Sequence, residues 1–150
     1  MIPKPSEQRL VLVVDTNVCL DLFVFFDPRW DRLLLALQQG RLQAITKTSC
    51  RDEWLAVLHY KQLPITDLSR PGMIAAFDQL ITCVDPAPSS IVLPTCTDPD
   101  DQQFMELARD SKATHLISKD KALLKCARRV TKSGLFQIMT PEHFIRSVEF

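Results

Sequence analysis

The chain has 150 residues, 46% hydrophobic and 24% charged, and its eighteen basic and eighteen acidic side chains cancel. That length suits one domain, residues 1–150, with a core of its own, and zero net charge removes any global argument for a polyanionic partner. Five scattered cysteines without a C-x-x-C pair, and three histidines (His59, His115, His143) without joint spacing, argue against a zinc site or a disulfide framework and for reduced, mostly buried thiols in a cytoplasmic protein.

After the polar start MIPKPSEQR, the run LVLVV is cut off by Asp15, too short for a signal peptide core or a membrane span, and no later stretch is longer. LVLVV predicts a strand and TNVCLDLFVFF a helix; WDRLLLALQQG predicts a second helix, stopped by Gly40. LQAIT is the next strand. The helix SCRDEWLAVLHYK follows, where Ser49 and Asp52 have capping-box spacing that leaves Glu53 free. GMIAAFDQLITC predicts one helix, and VDPAPSSIVLPTCTD a connection with IVL as a short strand. DPDDQQFMELA opens a helix with Asp98 as its cap and Pro99 at its first position. ATHLIS and FQIMT then each precede a helix, KDKALLKCARR and PEHFIRSV. Trp30 and Trp54 fall in helical apolar patterns and read as packing residues. Short unbroken apolar strands alternating with helices indicate an α/β fold, a parallel sheet covered on both faces. The three glycines form no phosphate-cradling loop, which excludes a P-loop and a dinucleotide fingerprint.

Ligands of an open parallel sheet bind at the carboxyl ends of its strands. Asp15 ends the first strand, Asp120 follows the ATHLIS strand, and Glu53 lies one turn into a helix leaving the same edge, aligned with Cys50 and Val57. Acids at a helix start ordinarily cap it or answer its dipole. Asp101, however, lines up with Phe104, Met105 and Ala108 and so points with the apolar stripe, where a carboxylate needs a partner. Taken singly, each acid reads as a surface charge; the set is what argues for a site. Two unit charges about 4 Å apart repel by on the order of 4 kcal/mol at a surface-like dielectric, so four converging carboxylates call for a cation. Oxygen donors alone select Mg²⁺ or Mn²⁺. A hydrated ion held this way can activate water for in-line attack on a phosphodiester. Thr16, Asn17 and Ser118 are placed to hydrogen-bond a ligating carboxylate or a bound water, and Asp100 is a second cap contact or an outer acid. Between Lys112 and Lys132 seven basic residues (Lys112, Lys119, Lys121, Lys125, Arg128, Arg129, Lys132) face the single acid Asp120, as a phosphate-contact surface or a solvated helix face.

VVDTNV, EWLAVL, DPDDQQFMELA, LISKDKALL and IMTPEHF together resemble the PIN domain family over nearly the whole chain, from about Leu10 to Phe144. They look most like its branch of toxin components from bacterial toxin-antitoxin pairs. The resemblance implies a three-layer α/β/α sandwich around a parallel sheet. It also implies an endoribonuclease using Mg²⁺ or Mn²⁺, with RNA as substrate, a protein antitoxin covering the site, and a homodimer. Carried over by motif, Asp15, Glu53, Asp101 and Asp120 are the catalytic acids, and Asp15, Asp101 and Asp120 the metal ligands. Lys119 departs from the pattern, standing where many relatives have Gly, and is expected to touch substrate phosphate or partly neutralise the site; Lys121, Lys125, Arg128 and Arg129 complete the expected RNA contacts. Other readings are weaker. A phospho-acceptor domain needs an acid pair after the first strand, where Val13 and Val14 precede Asp15 instead, and a haloacid-type phosphatase needs an acid at Asn17. A PIN fold kept as a scaffold with little catalysis, or a housekeeping RNA-processing factor, is the remaining alternative.

Overall fold

β1 (Leu10–Val14) is a run of apolar, mostly β-branched residues, buried on both faces as the central strand of a parallel sheet must be. In the computed structural model, which describes residues 9–150, it pairs with β2 (Leu42–Thr46) on one side and β4 (His115–Ile117) on the other. The polar start MIPKPSEQR, expected to hold no signal peptide, lies almost wholly outside the described residues. β3 (Ile81–Cys83) flanks β2 and β5 (Gln137–Met139) flanks β4, all parallel, in the order β3-β2-β1-β4-β5. The order reverses between β1 and β4. At such a switch point the connections leave in opposite directions and open a crevice beyond the carboxyl ends.

Eight helices are described: α1 (Thr16–Phe23), α2 (Asp31–Gln38), α3 (Thr48–Val57), α4 (Arg70–Leu80), α5 (Gln102–Asp110), α6 (Lys121–Leu124), α7 (Ala127–Lys132) and α8 (Pro141–Ser147). They cover both faces, giving the three-layer α/β/α sandwich. Alternation along β1 divides the core: Leu12 and Val14 meet Val18, Leu22, Leu33 and Phe144, whereas Val13 meets Phe104, Leu107 and Leu123. Trp54 stacks on Phe77 at 5.1 Å between ring centres, and Phe23 packs edge-on against both, so Trp54 is a packing residue, as is the buried Trp30.

Several boundaries differ from the sequence expectation. The helix predicted over GMIAAFDQLITC stops at Leu80, and ITC becomes the edge strand β3; only Ile81 of its three residues is buried, so no alternation announces it. IVL is not a strand. Its chain is held by side chains, with Arg109 donating to the Ile91 carbonyl at 2.9 Å and Asp110 accepting from the Ser89 amide at 2.9 Å, while Val92 stays 86% exposed. KDKALLKCARR breaks at Lys125 and Cys126 into α6 and α7. The Ser49–Asp52 capping box does not form, because α3 begins at Thr48 with Lys47 at its cap position and no side-chain cap. Cys83 is exposed; the other four cysteines are buried thiols. Gly40 closes α2 at φ 72, a conformation cheap only for glycine. Among the described residues no helix is long and apolar enough to cross a membrane.

Candidate metal centre

Asp15 leaves β1 in the crevice and caps α1, its Oδ1 accepting from the Thr16 amide at 2.7 Å. Its own amide donates to the Ile117 carbonyl at 2.9 Å, which fixes it against the end of β4. From that strand end Ser118 Oγ donates to Asp15 Oδ2 at 2.6 Å and accepts from the Asp120 amide at 2.9 Å. Asp120 in turn caps α6, with Oδ1 accepting from the Ala122 amide at 2.8 Å. Two caps and one serine thus aim two carboxylates from neighbouring strands at one spot.

Asp101 arrives from the other side. It closes the 3-10 turn Pro99–Asp101 ahead of α5, a turn capped by Asp98, which accepts from the Asp100 amide at 3.0 Å. Relieved of capping, Asp101 turns inward as its alignment with Phe104, Met105 and Ala108 requires. It is 6% exposed, and its Oδ2 is buried without a hydrogen-bond partner. Asp15, Asp101 and Asp120 each present one carboxylate oxygen, all within 4.8 Å of one another.

This proximity shows in the acidities. Burial pushes the Asp15 carboxyl up to about 6, against the hydrogen bonds from Ser118 and Thr16 and with the charges of Glu53 and Asp120. Asp101 is held well above the usual carboxylate range, first by burial, then by the neighbouring Asp120 carboxyl and the charges of Asp15 and Asp98. Crowding and burial of this kind raise the affinity of the cluster for protons and for cations alike. An orphaned buried oxygen, a set of oxygen donors and mutual repulsion fit a hard divalent ion.

The other expected residues fall in three groups. Glu53 stands outside the trio but touches it through Thr16, whose hydroxyl donates to Glu53 Oε2 while its amide serves Asp15. Asn17 is half-buried, its Oδ1 lacking a partner, whereas Asp100 is exposed and not gathered with the trio. Lys121 on α6, Lys125 at the break between the two helices, and Arg128 and Arg129 on α7 are exposed, and among the described residues none is ion-paired. Lys119 does not sit loose: its Nζ is 2.6 Å from Asp21 Oδ2. Asp21, on α1, went unremarked in the sequence. It is buried and also accepts from Trp30 Nε1 at 3.1 Å. The alignment test that singled out Asp101 finds it too, because Asp21 stands three residues after the buried Val18 and three before the buried Val24.

A family model described as PIN domain matches residues 11–122, from within β1 to just past Asp120. Among proteins of curated function, none matches the chain.

Proposed function

Because the chain belongs to the PIN domain family, whose members are typically metal-dependent nucleases acting on RNA, we propose that it is an endoribonuclease dependent on Mg²⁺ or Mn²⁺. We further propose that it is the toxin of a bacterial toxin-antitoxin pair, one domain acting in the cytoplasm, with a protein antitoxin as partner and a homodimer as its free form. The observation that carries the catalytic reading is the convergence of Asp15, Asp101 and Asp120 around a buried, unpartnered carboxylate oxygen.

In this reading those three residues hold the ion, which when bound polarises water and a phosphate oxygen. Ser118 and Thr16 keep the Asp15 carboxylate oriented, each spending a donor on one of its oxygens. Glu53, oriented by the Thr16 hydroxyl and outside the trio, is the carboxylate left to take the proton of the attacking water at Oε1. Asn17 and Asp100 support the centre from its margin. The exposed cations Lys121, Lys125, Arg128 and Arg129 run away from the acids along α6 and α7 and suit the phosphates of an RNA strand leading into the crevice, with Lys119 at its edge.

The test is cleavage of single-stranded RNA by the purified protein with Mn²⁺, with Mg²⁺ and with chelator. Internal cuts only in the presence of metal support the reading; no cuts under any condition by a folded protein overturn it in favour of a scaffold. The toxin assignment is tested separately, by growth arrest on expression and its relief by a neighbouring gene encoding a small protein.

A further inference from the structure

A carboxylate on the buried side of a helix is costly unless paired. Asp21 is 8% exposed on the second turn of the eight-residue α1, and both of its partners converge on Oδ2: Trp30 Nε1 at 3.1 Å and Lys119 Nζ at 2.6 Å. Trp30 is itself buried, so the indole fixes where that oxygen points and hence where the lysine must go. Lys119 is the middle residue of Ser118–Lys119–Asp120, the connection from β4 to α6. Its neighbours on both sides belong to the acid site, Ser118 through Asp15 and Asp120 through the trio. The connection is therefore tied to β1 by Ser118 and to the body of α1 by Lys119.

We propose that Asp21 is a positioning residue: by pairing with Lys119 it latches the β4–α6 connection onto α1 and so holds Asp120 within reach of Asp15 and Asp101. Its consequence for metal affinity rests on the proposed function; its mechanics do not. A competing account treats Lys119 simply as a positive charge offsetting nearby acids. The two accounts differ in sign. If Lys119 only neutralises, removing it deepens the negative potential and tightens cation binding. If it latches, removing it loosens Asp120 and weakens cation binding despite the gain in negative charge.

The experiment uses the full chain with Asp21→Asn, which keeps an acceptor for Trp30, with Lys119→Met, which keeps the length of the side chain, and with both. Hydrogen exchange is followed at the amides of Asp120 and Ala122, bonded to Ser118 Oγ and Asp120 Oδ1. The latch predicts that protection at both amides falls roughly three- to tenfold in either variant, and no further in the double variant, since the two residues act as one unit. Unchanged protection overturns it. Calorimetric titration with Mn²⁺ adds the second readout: weaker binding by both single variants is expected, and tighter binding by Lys119→Met overturns the latch in favour of simple neutralisation. A wild-type protein that takes up no Mn²⁺ removes the metal reading, and the exchange measurement then decides the latch by itself.

Discussion

Ser118 and Asp15 lie 103 positions apart in the chain and meet at 2.6 Å, hydroxyl to carboxylate, across the point where the sheet order reverses. One short hydrogen bond thereby joins the ends of β1 and β4, and the same serine oxygen orders the backbone that carries Asp120. The acid site is a product of sheet topology, and its behaviour follows from crowding charge in a place that water barely reaches.

The folded acidity of Asp15, about 6, lies above its ordinary value of 3.8, so the folded state binds that proton more tightly than the unfolded state. Protonation therefore stabilises the metal-free protein at low pH, and the benefit is lost as pH rises through about 6; Asp101 acts in the same direction. For Asp15 alone the full effect is about 3 kcal/mol. The metal-free protein should melt several degrees higher at pH 5 than at pH 7.5, and Mn²⁺ should remove most of that difference. His115, whose pKa burial lowers from 6.5, opposes the trend within this window, and Asp27, Asp67 and Asp110, whose pKa values are also lowered, oppose it only further into the acid range. Comparison with Asp15→Asn isolates the cluster from His115: a difference between pH 5 and 7.5 that is as large in the variant as in wild type contradicts the crowding.

Asp101→Asn should separate stability from function. It replaces a carboxyl whose charged form is disfavoured by burial and acidic neighbours and whose Oδ2 has no partner, so the metal-free variant at pH 7.5 should gain about 1–2 kcal/mol in urea unfolding while losing Mn²⁺ uptake and RNA cleavage. Asp15→Asn should likewise abolish cleavage and leave the fold intact. Either variant cutting RNA as fast as wild type removes that residue from the centre.

Replacing Lys125, Arg128 and Arg129 with Gln should weaken RNA binding and flatten the slope of log affinity against log salt by about 2, the loss expected for three phosphate contacts to a single strand. An unchanged slope returns these side chains to a solvated helix face.

Trp54→Ala removes the ring that stacks on Phe77 beneath α3, the helix that carries Glu53. A loss of about 3–5 kcal/mol is expected in urea unfolding, against less than about 0.5 kcal/mol for Cys83→Ser on the exposed edge strand.

What the sequence disclosed follows from which signals are local. Short β-branched runs such as LVLVV, each followed by polar punctuation and a helical pattern, fit strands buried on both faces, so the parallel sheet was legible, as were the strand-end positions of Asp15 and Asp120. Helical alignment put Asp101 on the inner side of its helix, where it is buried. β3 was not legible, since three residues with one buried member carry no period. IVL misled because an exposed apolar run looks like a strand until the absence of a pairing neighbour is known. The Lys119–Asp21 pair was hidden by distance: a lysine beside a conspicuous acid invites a functional reading, and nothing local says that its side chain reaches α1.

The central claim, that Asp15, Asp101 and Asp120 surround one hard divalent cation, is met most directly by anomalous diffraction from crystals soaked in Mn²⁺. The account predicts a peak roughly 2.0–2.4 Å from a carboxylate oxygen of at least two of the three residues, any third being bridged by water. A wild-type crystal with no peak in the crevice at the β1–β4 switch point, or with its peak on another face of the protein, contradicts it.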